Sequence, residues 1–148
     1  MGKTKTFVAC VTGQYSCDRL IRASKAISDN QKAKLTVVSV VNSADAGSDK
    51  YPEQMNALDY LNSVCRELDV EFTVLYSENC VLTAAKYIKD KRASQVFTGV
   101  PDRNSSSFIN LIASVLPKVE VTVLAQERQL APQKYSARLT PSVGTQGI

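Results

Sequence analysis

The sequence predicts an α/β domain in three layers, an open parallel sheet covered by helices on both faces. Three observations carry that expectation. Five runs rich in β-branched residues alternate strictly with four stretches of helical period. The first, second and fourth runs are almost continuously apolar, as strands buried on both faces must be. The first and fourth runs both end in Thr-Gly and pass through a serine-bearing loop into a helical stretch. In a sheet of this kind ligands bind beyond the carboxyl ends of the strands, where chain order reverses, so the two Thr-Gly junctions are candidate phosphate contacts.

The elements follow in order. Phe7-Val8-Ala9-Cys10-Val11-Thr12-Gly13 is the first strand, and Ser16 stands before the first helix, whose apolar stripe is Leu20, Ile21, Ser24 and Ile27. Leu35 to Val41 is the second strand. It opens into the longest internal connection, Asn42 to Tyr51, a polar segment placed to act as a flap over the crevice. Pro52 suits the first turn of the second helix, which carries Met55, Leu58, Leu61, Cys65 and Leu68 on one face. Glu71 to Tyr76 is the third strand, and Asn79 caps a third helix striped by Val81, Ala84, Ala85 and Ile88. Gln95 to Gly99 is the fourth strand. Ser105 to Ser107 then cap a fourth helix bearing Ile109, Ile112, Ala113 and Leu116, which Pro117 stops. Val119 to Ala125 is the fifth strand. Beyond Arg128 periodicity is lost and Pro132, Pro141, Gly144 and Gly147 interrupt the chain, so one domain over residues 1–127 and a flexible tail over 128–148 are expected.

Composition narrows the function. With 148 residues, 44% of them hydrophobic and 22% charged, the chain suits a single globular domain. No apolar run approaches the roughly 20 residues of a membrane span, and the run after the basic start is too short for a signal-peptide core, so a cytoplasmic location without membrane partners is expected. Cys10, Cys17, Cys65 and Cys80 form no C-x-x-C pair, and with no histidine the usual zinc ligand sets are missing; the thiols are expected to be reduced and no metal is expected. The net charge of +4 is spread thinly, which gives nucleic acid no focused surface.

Several chemistries are excluded by residues that are not there. A phosphoryl-accepting receiver needs a carboxylate cluster at its strand ends, and the first strand here ends in Thr12-Gly13. The Walker loop, the G-x-G-x-x-G triplet and the G-x-S-x-G elbow are all absent, and without histidine neither Ser-His-Asp nor Cys-His catalysis can be assembled. Where an ATP-pyrophosphatase loop would read Ser-Gly-Gly-x-Asp-Ser, this chain reads Thr12-Gly13-Gln14-Tyr15-Ser16-Cys17-Asp18. A binding protein rather than an enzyme is expected, with no catalytic residues.

The opening strand, followed by Ser16-Cys17-Asp18-Arg19-Leu20-Ile21-Arg22-Ala23, resembles the start of the universal stress protein family, most of all the stress-protein-like domain of the KdpD sensor kinases. The likeness runs from about residue 5 to 126. Its later half rests on Gly99-Val100-Pro101-Asp102-Arg103-Asn104-Ser105-Ser106-Ser107-Phe108, similar to the Gly-x-Pro/Ser-x-Arg and serine loop of that subgroup. The resemblance implies an adenine-nucleotide α-hydrolase-like, Rossmann-like fold with strand order 3-2-1-4-5, placing both Thr-Gly ends at one crevice. It implies an adenine lying against Thr12, Gly13 and Val40, with Ser16 in the first loop, and phosphates at the fourth-strand loop. There the family's Gly-x2-Gly-x9-Gly-Ser/Thr pattern keeps only Gly99, with Asp102 in place of the second glycine, so Arg103, Ser105, Ser106 and Ser107 are the expected phosphate contacts. AMP or a cyclic nucleotide suits such a loop better than ATP. The family also implies a homodimer, with the fifth strand at the sheet edge as the pairing surface.

Overall fold

The computed structural model describes residues 4–99, 106–124 and 133–135. Its elements are β1 (Thr6–Cys10), α1 (Cys17–Asn30), β2 (Lys34–Asn42), a 3-10 turn (Ser43–Gly47), α2 (Tyr51–Glu67), β3 (Glu71–Ser77), α3 (Cys80–Asp90), β4 (Gln95–Gly99), α4 (Ser106–Val115), β5 (Glu120–Leu124) and β6 (Gln133–Tyr135). The sheet order is β3-β2-β1-β4-β5-β6. The first five strands are parallel and in the expected order, with Ala9 of β1 paired to Val37 of β2 and to Phe97 of β4.

Strand alternation divides the core between the two faces of the sheet. Phe7, Ala9, Val37 and Phe97 pack with Leu20 and Ile21 of α1 and Leu58, Leu61 and Val64 of α2. Val8, Val38, Val96 and Val121 pack on the other face with Ala85 and Ile88 of α3 and Ile109 and Ile112 of α4. The Phe7 and Phe97 rings meet edge to face at 5.8 Å, joining the two central strands. Between β4 and β5 the buried Gln95 side chain donates to Thr122 Oγ1 at 2.5 Å.

Three helix-to-strand turns share one geometry. Lys32, Asp69 and Arg92 have φ of 57°, 61° and 56°, and the next residue's N–H closes on the carbonyl of Ser28, Cys65 or Ile88. This is the helix C-terminal motif that glycine usually serves, here built from three charged residues.

Four expectations are corrected. β1 ends at Cys10, so Thr12-Gly13 belongs to the following loop; the ladder finishes where the Val11 N–H meets Val38 O at 3.0 Å, and the Gln14 N–H then turns back to Thr12 O at 2.8 Å. Ser16 precedes α1 as expected but makes no side-chain cap bond, whereas Asn79 Oδ1 accepts from the Leu82 N–H at 3.3 Å and does cap α3. The segment from Asn42 to Tyr51 is partly helical, with Asn42 Oδ1 accepting from the Ala44 N–H at 2.9 Å. Finally, β5 is not the edge of the sheet. β6 pairs with it antiparallel, Val121 against Tyr135 and Val123 against Gln133, and occupies the backbone groups a twin was expected to use. The rest of the expected tail, and Ser105 as a cap for α4, lie outside the described residues. At the opposite side β3 ends the sheet, seven residues long and without Pro, Gly or Lys.

Candidate functional site

Because β1 and β2 run parallel, the loops that follow them emerge at the same rim, and the start of α2 follows the second loop there. Together they enclose a cavity of about 570 Å³, within the usual size of small-molecule sites. Thr12, Gly13, Gln14 and Tyr15 form one wall; Asp45, Ser48 and Lys50 form the second; Glu53, Gln54 and Ala57 of α2 form the third. The expected flap is thus one of its walls.

Gly13 sits directly beneath α2. A Cβ on it would lie 2.5 Å from Gln54 Cγ and 3.2 Å from the Gln54 carbonyl oxygen, so the position needs a residue without a side chain. No described glycine has positive φ, which makes close approach, not turn geometry, the reason for glycine here. Thr12 Oγ1 lies 3.6 Å from Cys17 Sγ, a buried thiol. Tyr15 is 50% exposed and stacks at a tilt on Tyr60 of α2, ring centroids 5.4 Å apart, leaving half of its surface for a ligand. The Tyr60 hydroxyl donates to Asp18 Oδ2 at 2.7 Å, and this bond to a carboxylate raises the phenol above its ordinary range.

The sequence-predicted residues are only partly brought together. Thr12 and Gly13 line the cavity, and Ser16 is exposed just past them at the start of α1. Gly99 is the last residue of β4, on the neighbouring strand at the same rim, and pairs with Leu124; it does not line the cavity. Val40 packs with Cys10 and Leu75 against the α3 and α4 face, which removes it from the cavity on the α1 and α2 face. Strand alternation aims residue 40 to the side of the sheet away from that cavity. Ser106 and Ser107 open α4; Arg103 and Ser105 lie outside the described residues. Sequence reasoning missed Asp45, Lys50, Glu53 and Gln54. Asp45 and Lys50 lay within the expected flap without being singled out, and the signal for Glu53 and Gln54 was Pro52, which puts a helix start beside the polar loop and so at this rim.

Burial pushes the Cys10 thiol up to about 12 and the Cys65 thiol up to about 11. Cys80 is raised by burial first and then by the Asp45 carboxylate. Among the described residues there is no group of three or more His, Cys, Asp or Glu placed to hold a metal ion, and no helix long and apolar enough to cross a membrane.

No protein-family model and no curated protein sequence matches the chain. Solved structures do. A universal stress protein in complex with cAMP superposes with a TM-score of 0.60 at 15% identity, over 85% of this chain and 100% of that one. The universal stress protein from Archaeoglobus fulgidus in complex with dAMP gives 0.56 at 15% identity, over 84% and 98%. A universal stress protein family protein from Arabidopsis thaliana with AMP bound gives 0.57 at 16% identity, over 84% and 93%. Strand order, parallel register and these superpositions agree: the chain has the adenine-nucleotide α-hydrolase-like fold of the universal stress proteins.

Proposed function

We propose that this protein is a non-catalytic, nucleotide-binding regulatory protein of the universal stress protein type, binding an adenine nucleotide at the carboxyl rim of β1 and β4. The observation that carries the reading is the cavity at that rim, walled by Thr12, Gly13 and Tyr15, in a fold whose solved examples hold cAMP, dAMP and AMP. AMP or a cyclic nucleotide is the favoured ligand. Arg103 and Ser105 to Ser107 would supply its phosphate contacts, and Asp102 in the reduced glycine loop disfavours a triphosphate. Isothermal titration calorimetry with AMP and cAMP tests this, with dissociation constants in the micromolar range expected; no heat from either at millimolar concentration rejects it.

A narrower kinship with the sensor-kinase subgroup rests on the motif from Gly99 to Phe108. A cytoplasmic setting is supported by four free cysteines, which suit a reducing compartment. Homodimerisation through β5 would require β6 to leave the edge it occupies. The second reading, a ligand-free interaction module, draws on Gln54, whose side chain already covers Gly13 where a base would lie. Native mass spectrometry of freshly purified protein separates the two, a copurified nucleotide favouring the first.

A further inference from the structure

We infer that the open edge of β3 is a self-association surface, on which two copies of this chain pair antiparallel about a two-fold axis through Val74. The inference does not depend on the ligand, and the edge is not that of β5, which β6 occupies. β3 stands last in the sheet order, and among the described residues its ladder bonds go to β2 alone. In a parallel ladder the backbone groups of alternate residues point away from the neighbouring strand, so donors and acceptors stay open along the outer side of β3. The devices that keep such an edge single are missing, since Phe72 to Ser77 contains no charge, no Pro and no Gly. Its side chains are also uncovered: Phe72, Thr73, Val74 and Leu75 are half-buried and Tyr76 is 50% exposed, whereas β2 alongside is buried over most of its length.

The strand's own residues argue for a second copy as the occupant. Phe72 and Val74 join the core on the α2 side with Tyr51 and Met55, and Leu75 joins the core on the α3 side. Tyr76 shares the α2 side; its hydroxyl donates to Met55 Sδ at 3.5 Å and lies 3.1 Å from the Tyr51 hydroxyl. Reversing the strand about Val74 returns the same pattern. On the α2 side Phe72 meets Tyr76 of the second copy, Val74 meets its equivalent and Tyr76 meets Phe72, while Thr73 meets Leu75 on the α3 side. This gives two aromatic cross-strand pairs around an apolar centre, and it sets every open backbone donor opposite an open acceptor. Glu71, the one charge in the strand, comes opposite Ser77, whereas a parallel arrangement would oppose it to itself. Because Tyr51 and Met55 already hold the Tyr76 ring, pairing costs little further side-chain freedom.

Light scattering on the full chain over a concentration series tests the inference, with twice the 16.1 kDa of one chain expected at the upper end. Tyr76→Lys removes both aromatic pairs and sets an ammonium in the contact; it is expected to weaken association about tenfold or more at unchanged circular dichroism, whereas Tyr76→Phe should pair as the parent does. Val74→Cys brings two thiols together on the axis and is expected to give a disulfide-linked dimer with diamide as the oxidant. The parent and Val115→Cys, at an exposed position on α4, should not. The mass of one chain at every concentration overturns the inference. So does a dimer that Tyr76→Lys leaves intact and Val74→Cys fails to cross-link, which would put the contact on another surface.

Discussion

Gly13 has Gln54 in the space where a side chain would begin. Replacing it with alanine forces α2 or the first loop to move, and overpacking of this kind costs about 1–3 kcal/mol. Gly13→Ala is expected to lower the unfolding free energy by that amount, read as a lower urea midpoint at unchanged m-value; an unchanged midpoint would show that Gln54 yields freely. The glycine was visible in the sequence, but its reason was not. The contact is made by a residue one helix, one strand and one loop later, and neither turn chemistry nor periodicity reports such an approach. Glu53 and Gln54 were illegible for a related reason, since polar residues on the first turn of a helix read as a solvated face until the opposite wall is known.

The helices were legible because their buried stripes, such as Leu58, Leu61 and Cys65, recur at helical spacing. Their C-terminal turns were less so, because Lys32, Asp69 and Arg92 take a left-handed conformation without the glycine that usually announces it. An L-residue there costs about 1–2 kcal/mol, and glycine relieves this at an entropic cost of about 0.5–1 kcal/mol. Lys32→Gly, Asp69→Gly and Arg92→Gly are each expected to stabilise the fold by about 0.5 kcal/mol. Chemical denaturation checks this; a loss of stability in all three would mean that the side chains, not the backbone, hold these turns. Strand ends were misjudged by a few residues, since apolar character at Val11 continues past the last ladder bond. β6 escaped notice because Gln133-Lys134-Tyr135 carries no apolar alternation; its pairing to β5 is a tertiary event.

At the scale of the whole molecule, strict alternation of strand and helix made the three-layer fold legible, and the right-handed crossover rule limited its topology. The same core sets the pH response. Folding raises the Cys10 thiol from 9.0 to about 12 and the Cys65 thiol from 9.0 to about 11, so between those values the unfolded chain binds fewer protons than the folded one. The stabilisation is complete below pH 9.0 and is lost as pH rises through 9.0 to about 12. Without histidine, no side chain adds an ordinary titration between about pH 5 and 8. Stability should be flat across that interval and fall above pH 9.0, with the alkaline slope reduced in a Cys10→Ala, Cys65→Ala variant; an identical slope would remove the thiols as its cause.

The sheet's two sides are unequal in a way that limits assembly. β3 presents seven residues of open backbone, about 23 Å, while β6 closes the far side with three, about 10 Å. Fibrils grow when each added subunit leaves a fresh docking strand at its other end. Among the described residues the long strand offers a neighbour twice the pairing length of the stub opposite, so edge-to-edge addition of copies is expected to be favoured at the β3 side over the β6 side.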